Sequence, residues 1–327
     1  MRVNNKVSCV PDIWLRIHEE AKPNAGEDNF CYSYGDSAAL LAAFDGCGGA
    51  GAQRYDGYGG RTEAYMASRF CAGAFYDSFL ESFPGSGTNR EQLDAFLTRA
   101  TERCSVTLST FRPPQRAGGS VKGSMVRTLP STAAIAVVLP NANGSYAVNA
   151  VWAGDSRCYL LTEEGLGQLT KDDTSVPDPM DNLYEDGVLK NIIHEGKKMT
   201  LHVGTFNVKK PFVVLAATDG CFGYFTTPME FEGVLLQSLI VAKNPEQWES
   251  YMQRLMGKYA GDDYTMVLAA YGFDSFADLQ RHFLNRAKHL QTAYLDELQK
   301  LPTEQREPRQ QMWEKYKHEY MRYIEEG

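Results

Sequence analysis

Apolar positions along this 327-residue chain fall into short runs separated by turn-forming residues. Six runs rich in Ala, Val and Leu read as strands: Ala38–Phe44, Thr132–Leu139, Tyr146–Ala153, Cys158–Leu161, Phe212–Ala217 and Thr265–Tyr271. Between the second and third, Asn141-Ala-Asn-Gly144 supplies residues that tolerate positive φ, which predicts a hairpin. Helical spacing marks Arg61–Phe83 and Arg90–Thr110, parted by Pro84-Gly-Ser-Gly-Thr88. It marks Met229–Ala242 and Glu246–Tyr259 as well, the last with Asn244 as N-cap ahead of Pro245. Strands, a helix pair, strands, a helix pair and a strand are not the alternation of a doubly wound parallel sheet. The order predicts an α+β fold, an antiparallel β-sandwich flanked by helices on both faces.

The pattern changes at Phe276. Leu279, Phe283, Ala287, Leu290, Tyr294, Leu298 and Leu301 recur at steps of three and four, the spacing of an amphipathic helix. Leu301-Pro302 ends it, and Trp313, Tyr316, Tyr320 and Tyr323 stripe a second helix. Residues 1–272 therefore read as one domain and 273–327 as an appended helical hairpin. Such a stripe ordinarily packs on its own body; the alternative is an arm that binds a partner protein.

Composition narrows the class. With 43% hydrophobic and 23% charged residues the chain is an ordinary globular one. No apolar run reaches the ~20 residues that cross a bilayer, and Met1–Val10 is too polar for a secretory signal. A cytoplasmic protein without a membrane partner is the expectation. The net charge is −8, and because Lys/Arg and Asp/Glu balance from Phe276 onward, the whole excess lies in residues 1–275. A negative body does not suit a nucleic-acid binder; it suits a protein that gathers carboxylates around cations. The seven cysteines are scattered without a CxxC pair, so neither a disulfide framework nor a zinc knuckle is expected.

Four apolar runs meet an aspartate at one edge. LLAAF ends in Asp45-Gly46, AVNAVWAG in Asp155-Ser156-Arg157, and PFVVLAAT in Asp219-Gly220, while Asp262-Asp263-Tyr264 precedes TMVLAAY. One aspartate at a strand end is a turn residue. Four of them, two followed by glycine, predict strands that deliver carboxylates to a common rim. Oxygen-only ligands of this kind suit Mg²⁺ or Mn²⁺ rather than zinc or copper. A competing pattern, Gly46-Cys-Gly48-Gly-Ala-Gly51, matches GxGxxG after a strand. It is set aside because Gln53–Gly60 reads as loop, and Asp45 would face a pyrophosphate.

Taken in order, these segments resemble the metal-dependent serine/threonine protein phosphatases of type 2C, the PPM family. Glu27-Asp28 in GEDNF is similar to the family's early acidic pair, and LLAAFDGCGG to its F-D-G-H-G-G segment. Ser131-Thr-Ala with AVNAVWAGDSRCYLL resembles G-S-T-A … N-x-G-D-S-R. LAATDGCFGYF resembles L-A-S-D-G-L-W-D, and GDDYTMVLAA resembles D-N-x-T-V. The resemblance covers most of residues 20–272. It implies a binuclear Mn²⁺ or Mg²⁺ centre whose bridging water attacks the phosphorus of phosphoserine or phosphothreonine in a phosphoprotein. Asp45 would bridge the ions; Asp219 and Asp262 would complete one site. The Gly46 carbonyl, with Glu27 and Asp28 partly through water, would serve the other, and Asp155 a third, weaker ion. Of the Asp262/Asp263 pair, Asp262 aligns with the family's aspartate. No covalent nucleophile is needed, and no cysteine has the Cys-x5-Arg spacing of cysteine phosphatases.

Two positions depart from the family. Its proposed general-acid histidine is Cys47 here, a weaker proton donor near neutrality. The phosphate-binding arginine expected ahead of the acidic pair is missing, and Lys22, one residue out of register, is the candidate in its place. These departures keep two alternatives open: a pseudophosphatase that binds without turnover, and a small-molecule phosphatase. Lys171–Lys210, acidic and loop-like, lies where the family carries a flap beside the active site.

Overall fold

A strand with no polar position is stable only where both of its faces are covered, and Ala39–Phe44 is buried at all six positions. The computed structural model describes residues 8–84, 90–111, 128–185, 187–196, 198–302 and 305–325. Residues 1–7 of the polar N-terminus and 85–89 of the inter-helix break lie outside them. The strands are β1 (Ile13–Glu19), β2 (Asn29–Tyr34), β3 (Ala39–Phe44), β4 (Arg54–Tyr55), β5 (Arg61–Thr62), β6 (Ala133–Pro140), β7 (Tyr146–Ala153), β8 (Arg157–Thr162), β9 (Gly165–Gln168), β10 (His202–Val208), β11 (Phe212–Ala217) and β12 (Tyr264–Tyr271). The helices are α1 (Glu63–Ser82), α2 (Arg90–Thr110), α3 (Pro228–Val241), α4 (Pro245–Met256), α5 (Phe276–Leu290), α6 (Asp296–Leu298) and α7 (Arg306–Glu325).

Two five-stranded antiparallel sheets form the sandwich, one ordered β1-β12-β11-β8-β9 and the other β10-β7-β6-β3-β2. Small residues line their shared interior: Ala39, Ala43, Ala134, Ala136, Ala150, Ala216 and Ala269, with Leu41, Val214 and Val267. On the outer face of the second sheet, Leu40, Phe44 and Ile135 pack with Phe75 of α1 and Phe96 of α2. The outer face of the first sheet is covered by the remaining helices, with Leu215 and Leu268 packed among Leu235, Trp248, Phe283, Trp313 and Tyr316. This is the helix-flanked antiparallel sandwich that the pattern predicts. No helix among the described residues is long and apolar enough to cross a membrane.

The buried strands were legible and the edge strands were not. β1, β2, β9 and β10 were all missed; they are the four edges of the two sheets, and β10 alternates half-buried and exposed positions along its length. The helix predicted from Arg61 starts two residues later. Arg61–Thr62 instead pairs with Arg54–Tyr55 in a small hairpin, and Thr62 caps α1 by accepting from the Tyr65 N–H at 3.0 Å. Asn244 caps α4 as expected, accepting from the Gln247 N–H at 2.9 Å.

Beyond Phe276, α5 continues through a π-helical turn, Gln291–Leu295, into α6, and α7 returns along β9. Their apolar stripes share one core with the first sheet. A buried charge network joins them to α3: Arg286 forks onto Glu232 at 2.7 and 2.9 Å, reaches Glu319 at 2.5 Å, and Tyr316 donates to the same Glu232 carboxylate. Removing one member of such a pair leaves an unpaired buried charge. We expect Arg286→Ala to cost about 3–5 kcal/mol in chemical denaturation and the Arg286→Met/Glu232→Gln double variant to cost less than the single variant.

Candidate metal centre

The strand ends place the aspartates. Asp45 follows β3 directly, and the backbone there is tied to the β6 side. Thr132 N–H donates to the Asp45 carbonyl at 2.8 Å, Ser131 Oγ donates to the same oxygen at 3.0 Å, and Asp45 N–H donates to Thr132 Oγ1 at 3.3 Å. Gly46 then bridges Ser131 and donates to the Glu27 carbonyl at 3.2 Å. A Cβ at Gly46 would collide with the Ala64 carbonyl in the first turn of α1, so only glycine fits. At the end of β11 the same holds for Gly220, where a Cβ would strike the Asp263 carbonyl at the start of β12. The glycine after each aspartate thus serves close backbone approach.

Asp28, only 2% exposed, accepts from Thr218 Oγ1 at 2.7 Å, and that hydroxyl in turn accepts from Thr265 N–H at 2.9 Å. Glu27 accepts a hydrogen bond from the Thr62 hydroxyl. The two acids at the head of β12 divide their work. Asp263 is buried and bonded to Ala21 N–H at 2.7 Å and Glu27 N–H at 2.6 Å, so it fastens the Glu20–Glu27 loop. Asp262 is exposed and accepts from the Asp263 N–H at 2.8 Å through one oxygen.

These acids sense one another. Burial first, and then Asp219, Asp28, Asp155 and Asp262, push the Asp45 carboxyl well above the ordinary range. Burial, opposed by Thr218 and Thr265 and reinforced by Asp219 and Asp263, raises Asp28 to about 8. Burial and Asp262 raise Asp219 to about 6; burial, Asp219 and Asp172 raise Asp155. Asp262 and Glu27 are raised too, mainly by burial. The donor chemistry fits a hard divalent cation, because all of these groups offer oxygen and each is destabilised as an anion by the others. Yet among the described residues no three His, Cys, Asp or Glu side chains converge tightly enough to form a ready ligand set.

Cys47 is half-buried, and its N–H donates to the Pro130 carbonyl at 3.1 Å. Burial, then Asp45, Asp155 and Asp219, drive its thiol pKa well up, so it is a weaker acid than a free thiol. Lys22 is exposed and near enough to Asp262 to offset part of that carboxyl's upward shift.

Three participants went unforeseen. Arg54 stands opposite Thr62 in the β4–β5 pair, the residue that holds Glu27, and its charge opposes the rise of the Glu27 pKa. Tyr224 is exposed, with a hydroxyl pKa raised to about 12 by burial and by Asp262, Asp219 and Asp45. Arg157, within the DSR segment, is buried and grips Asp172 with Nε at 2.9 Å and Nη2 at 2.6 Å. The motif quoted Arg157, but nothing in the sequence named Asp172 as its partner; Arg54 reaches the site through a hairpin too short to show a strand pattern.

A carboxyl whose pKa is raised on folding stabilises the fold fully below its unfolded value near 4, and loses that contribution as pH climbs through the folded value. For Asp28 and Asp219 the window runs from about 4 to about 8. We expect the metal-free protein to melt roughly 5 °C or more lower at the upper end of that window than at the lower. Scanning calorimetry across it should show the slope flattened by Asp28→Asn; an unchanged slope in that variant would refute the crowding.

No family model matches this chain, and no curated protein matches it. Solved structures do. The serine/threonine phosphatase PstP/Ppp of Mycobacterium tuberculosis aligns with TM-score 0.54 at 16% identity, over 80% of this chain and 98% of that one. The serine/threonine phosphatase Stp1 of Staphylococcus aureus aligns with TM-score 0.56 at 17% identity, over 81% and 96%. The catalytic domain of PstP in complex with two manganese ions aligns with TM-score 0.52 at 18% identity, over 79% and 97%. At these identities the likeness concerns the backbone, and on it the chain has the fold of the PPM serine/threonine phosphatases.

Proposed function

We propose that this chain is a Mn²⁺- or Mg²⁺-dependent phosphatase acting on phosphoserine and phosphothreonine in proteins. The observation that carries the reading is the gathering of Asp45, Asp155, Asp219 and Asp262 from four strand ends into mutual repulsion, with Asp28 buried beside them. The fold shared with serine/threonine phosphatases, one of them holding two manganese ions, supports the reaction class. When bound, two such ions would supply an activated water and neutralise charge at phosphorus. Asp45, Asp219 and Asp262 would hold them, with the Gly46 carbonyl, Glu27 and Asp28 on the second ion and Asp155 on a weaker third.

The chain's own groups would do the rest. Lys22 beside Asp262 and Arg54 beside Glu27 are the cations at the acids' edge and would meet the phosphate dianion; Arg54 brings the bidentate fork that Lys22 lacks. Cys47 holds its proton too tightly to serve as an efficient acid, so leaving groups that need no protonation would be favoured. That weakness also favours a competing reading, a binding module without turnover; the retained carboxylates oppose it.

Hydrolysis of p-nitrophenyl phosphate with and without Mn²⁺ separates the two. We expect metal-dependent turnover that Asp219→Asn lowers by at least roughly a hundredfold. Activity indifferent to metal and to that substitution would sink the metal-centre reading, and no activity on any phosphoester would favour the binding module. On a phosphoserine peptide, Cys47→His should raise turnover by roughly tenfold or more, while leaving p-nitrophenyl phosphate nearly unaffected.

A further inference from the structure

The acidic segment that follows β9 runs along the edge of the site. It starts beside Asp155, where Asp173 N–H donates to the Gly154 carbonyl at 2.9 Å, and ends beside Asp45, where Ile193 bridges Ser131. Among its described residues, regular structure between those points is limited to one 3-10 turn, Asp181–Leu183. What holds it is α7. Trp313 Nε1 donates to Asp178 at 3.0 Å, and Lys317 pairs with the same carboxylate at 2.7 Å. Arg306 pairs with Asp181 at 2.7 Å and lies over the Tyr184 ring, 4.8 Å from its centroid. Tyr184 in turn donates to the Thr226 carbonyl at 2.9 Å, and Arg309 donates to Thr226 Oγ1 at 2.7 Å, just past Asp219 and Tyr224. One turn before its end, α7 reaches the site from beneath: Tyr320 accepts from Arg157 Nη1 at 3.2 Å, and Arg157 grips Asp172.

Charge runs the same way. Asp173, Asp178, Asp181 and Glu185 make the segment negative, next to carboxylates that already repel one another. Lys317 and Arg306 are the cations that answer it. Burial alone would raise the Asp178 pKa, but Lys317, Met180 N–H and Trp313 bring it below its ordinary value.

We propose that α7 is a clamp on this edge: Lys317, Arg306 and Trp313 hold Asp172–Glu185 in place and offset part of its negative charge, so that α7 sets the affinity for phosphorylated substrate rather than the rate of bond breaking. The role in substrate affinity rests on the phosphatase reading; the clamp itself does not. Lys317 and Arg306 are positioning residues, since they touch the segment and not the reacting atoms.

The test uses the full chain carrying Lys317→Ala and Arg306→Ala together, both partly exposed positions at which folding should survive. Hydrogen exchange at the amides of residues 175–185 should quicken about tenfold while β11 and β12 stay unchanged. KM for an acidic phosphopeptide should rise about fivefold more than for a basic one, with kcat within about twofold. On the background of Arg306→Asp, adding Asp181→Arg should restore slow exchange. Unchanged exchange in the segment would overturn the clamp, and a fall in kcat with KM untouched would overturn its role in substrate affinity. Faster exchange in a protein whose parent hydrolyses no phosphoester would uphold the clamp and remove the phosphatase reading instead.

Discussion

Like charges crowded at the ends of buried strands are the constraint on which the rest of the structure turns. Asp45, Asp155 and Asp219 leave their strands pointing into one another's field, and Asp28 is buried behind them. A lone carboxylate in such a place would take a proton or acquire a counter-charge. Among the described residues the cations that bear on these acids include Lys22 at Asp262, Arg54 at Glu27, and the buried Arg157, whose guanidinium is already committed to Asp172. The acids are held instead by neutral groups, Thr218 on Asp28 and the Thr62 hydroxyl on Glu27, and by a backbone clasp around Asp45 and Gly46. Such bonds fix position without removing charge, and under the proposed reading a divalent ion would relieve the repulsion that remains.

That arrangement explains which parts could be read from the sequence. An apolar run with an aspartate at its end carries both its burial and its chemistry in a few adjacent residues, so β3, β7, β11 and β12 and their carboxylates were legible together. The choice of Asp262 over Asp263 came only from the family pattern; in the structure Asp263 is occupied by the Ala21 and Glu27 amides, which agrees with that choice without testing it. β10 and the two-residue β4 and β5 were not legible, because an edge strand needs no continuous apolar run and a two-residue strand has no period. Arg54 was lost with them. Its place beside Glu27 depends on pairing with Thr62, eight residues away, a fact of register rather than of pattern.

Helix α7 extends the same logic beyond the sandwich. Its stripe of Trp313, Tyr316 and Tyr320 is legible as apolar, yet the polar ends of those rings do as much as their faces. Trp313 donates to Asp178, Tyr316 to Glu232, and Tyr320 meets Arg157 and Tyr159. Aromatic side chains with a polar tip can be buried only where the tip finds a partner, and here each partner is a charged or hydroxyl group of the body. The hydrophobic pattern therefore announced that α7 would pack, while the register in which it packs follows from hydrogen bonds that no periodicity reports.

Cys47 sharpens the electrostatic picture. An imidazole at that position could take a proton and become a cation in the midst of Asp45, Asp155 and Asp219, lowering their repulsion by a full charge. A thiol can only be neutral or negative, and burial together with the same three carboxylates holds it neutral. The site of this chain is thus more negative than one bearing histidine there, in two senses: it lacks an internal cation, and it lacks a group able to hand a proton to a departing alkoxide. The first lack increases the benefit of binding divalent ions, since each relieves more repulsion. The second falls on the chemical step alone. In the proposed phosphatase these two effects would join tight metal binding to slow turnover of poor leaving groups, and both would follow from one side chain in the field of three aspartates.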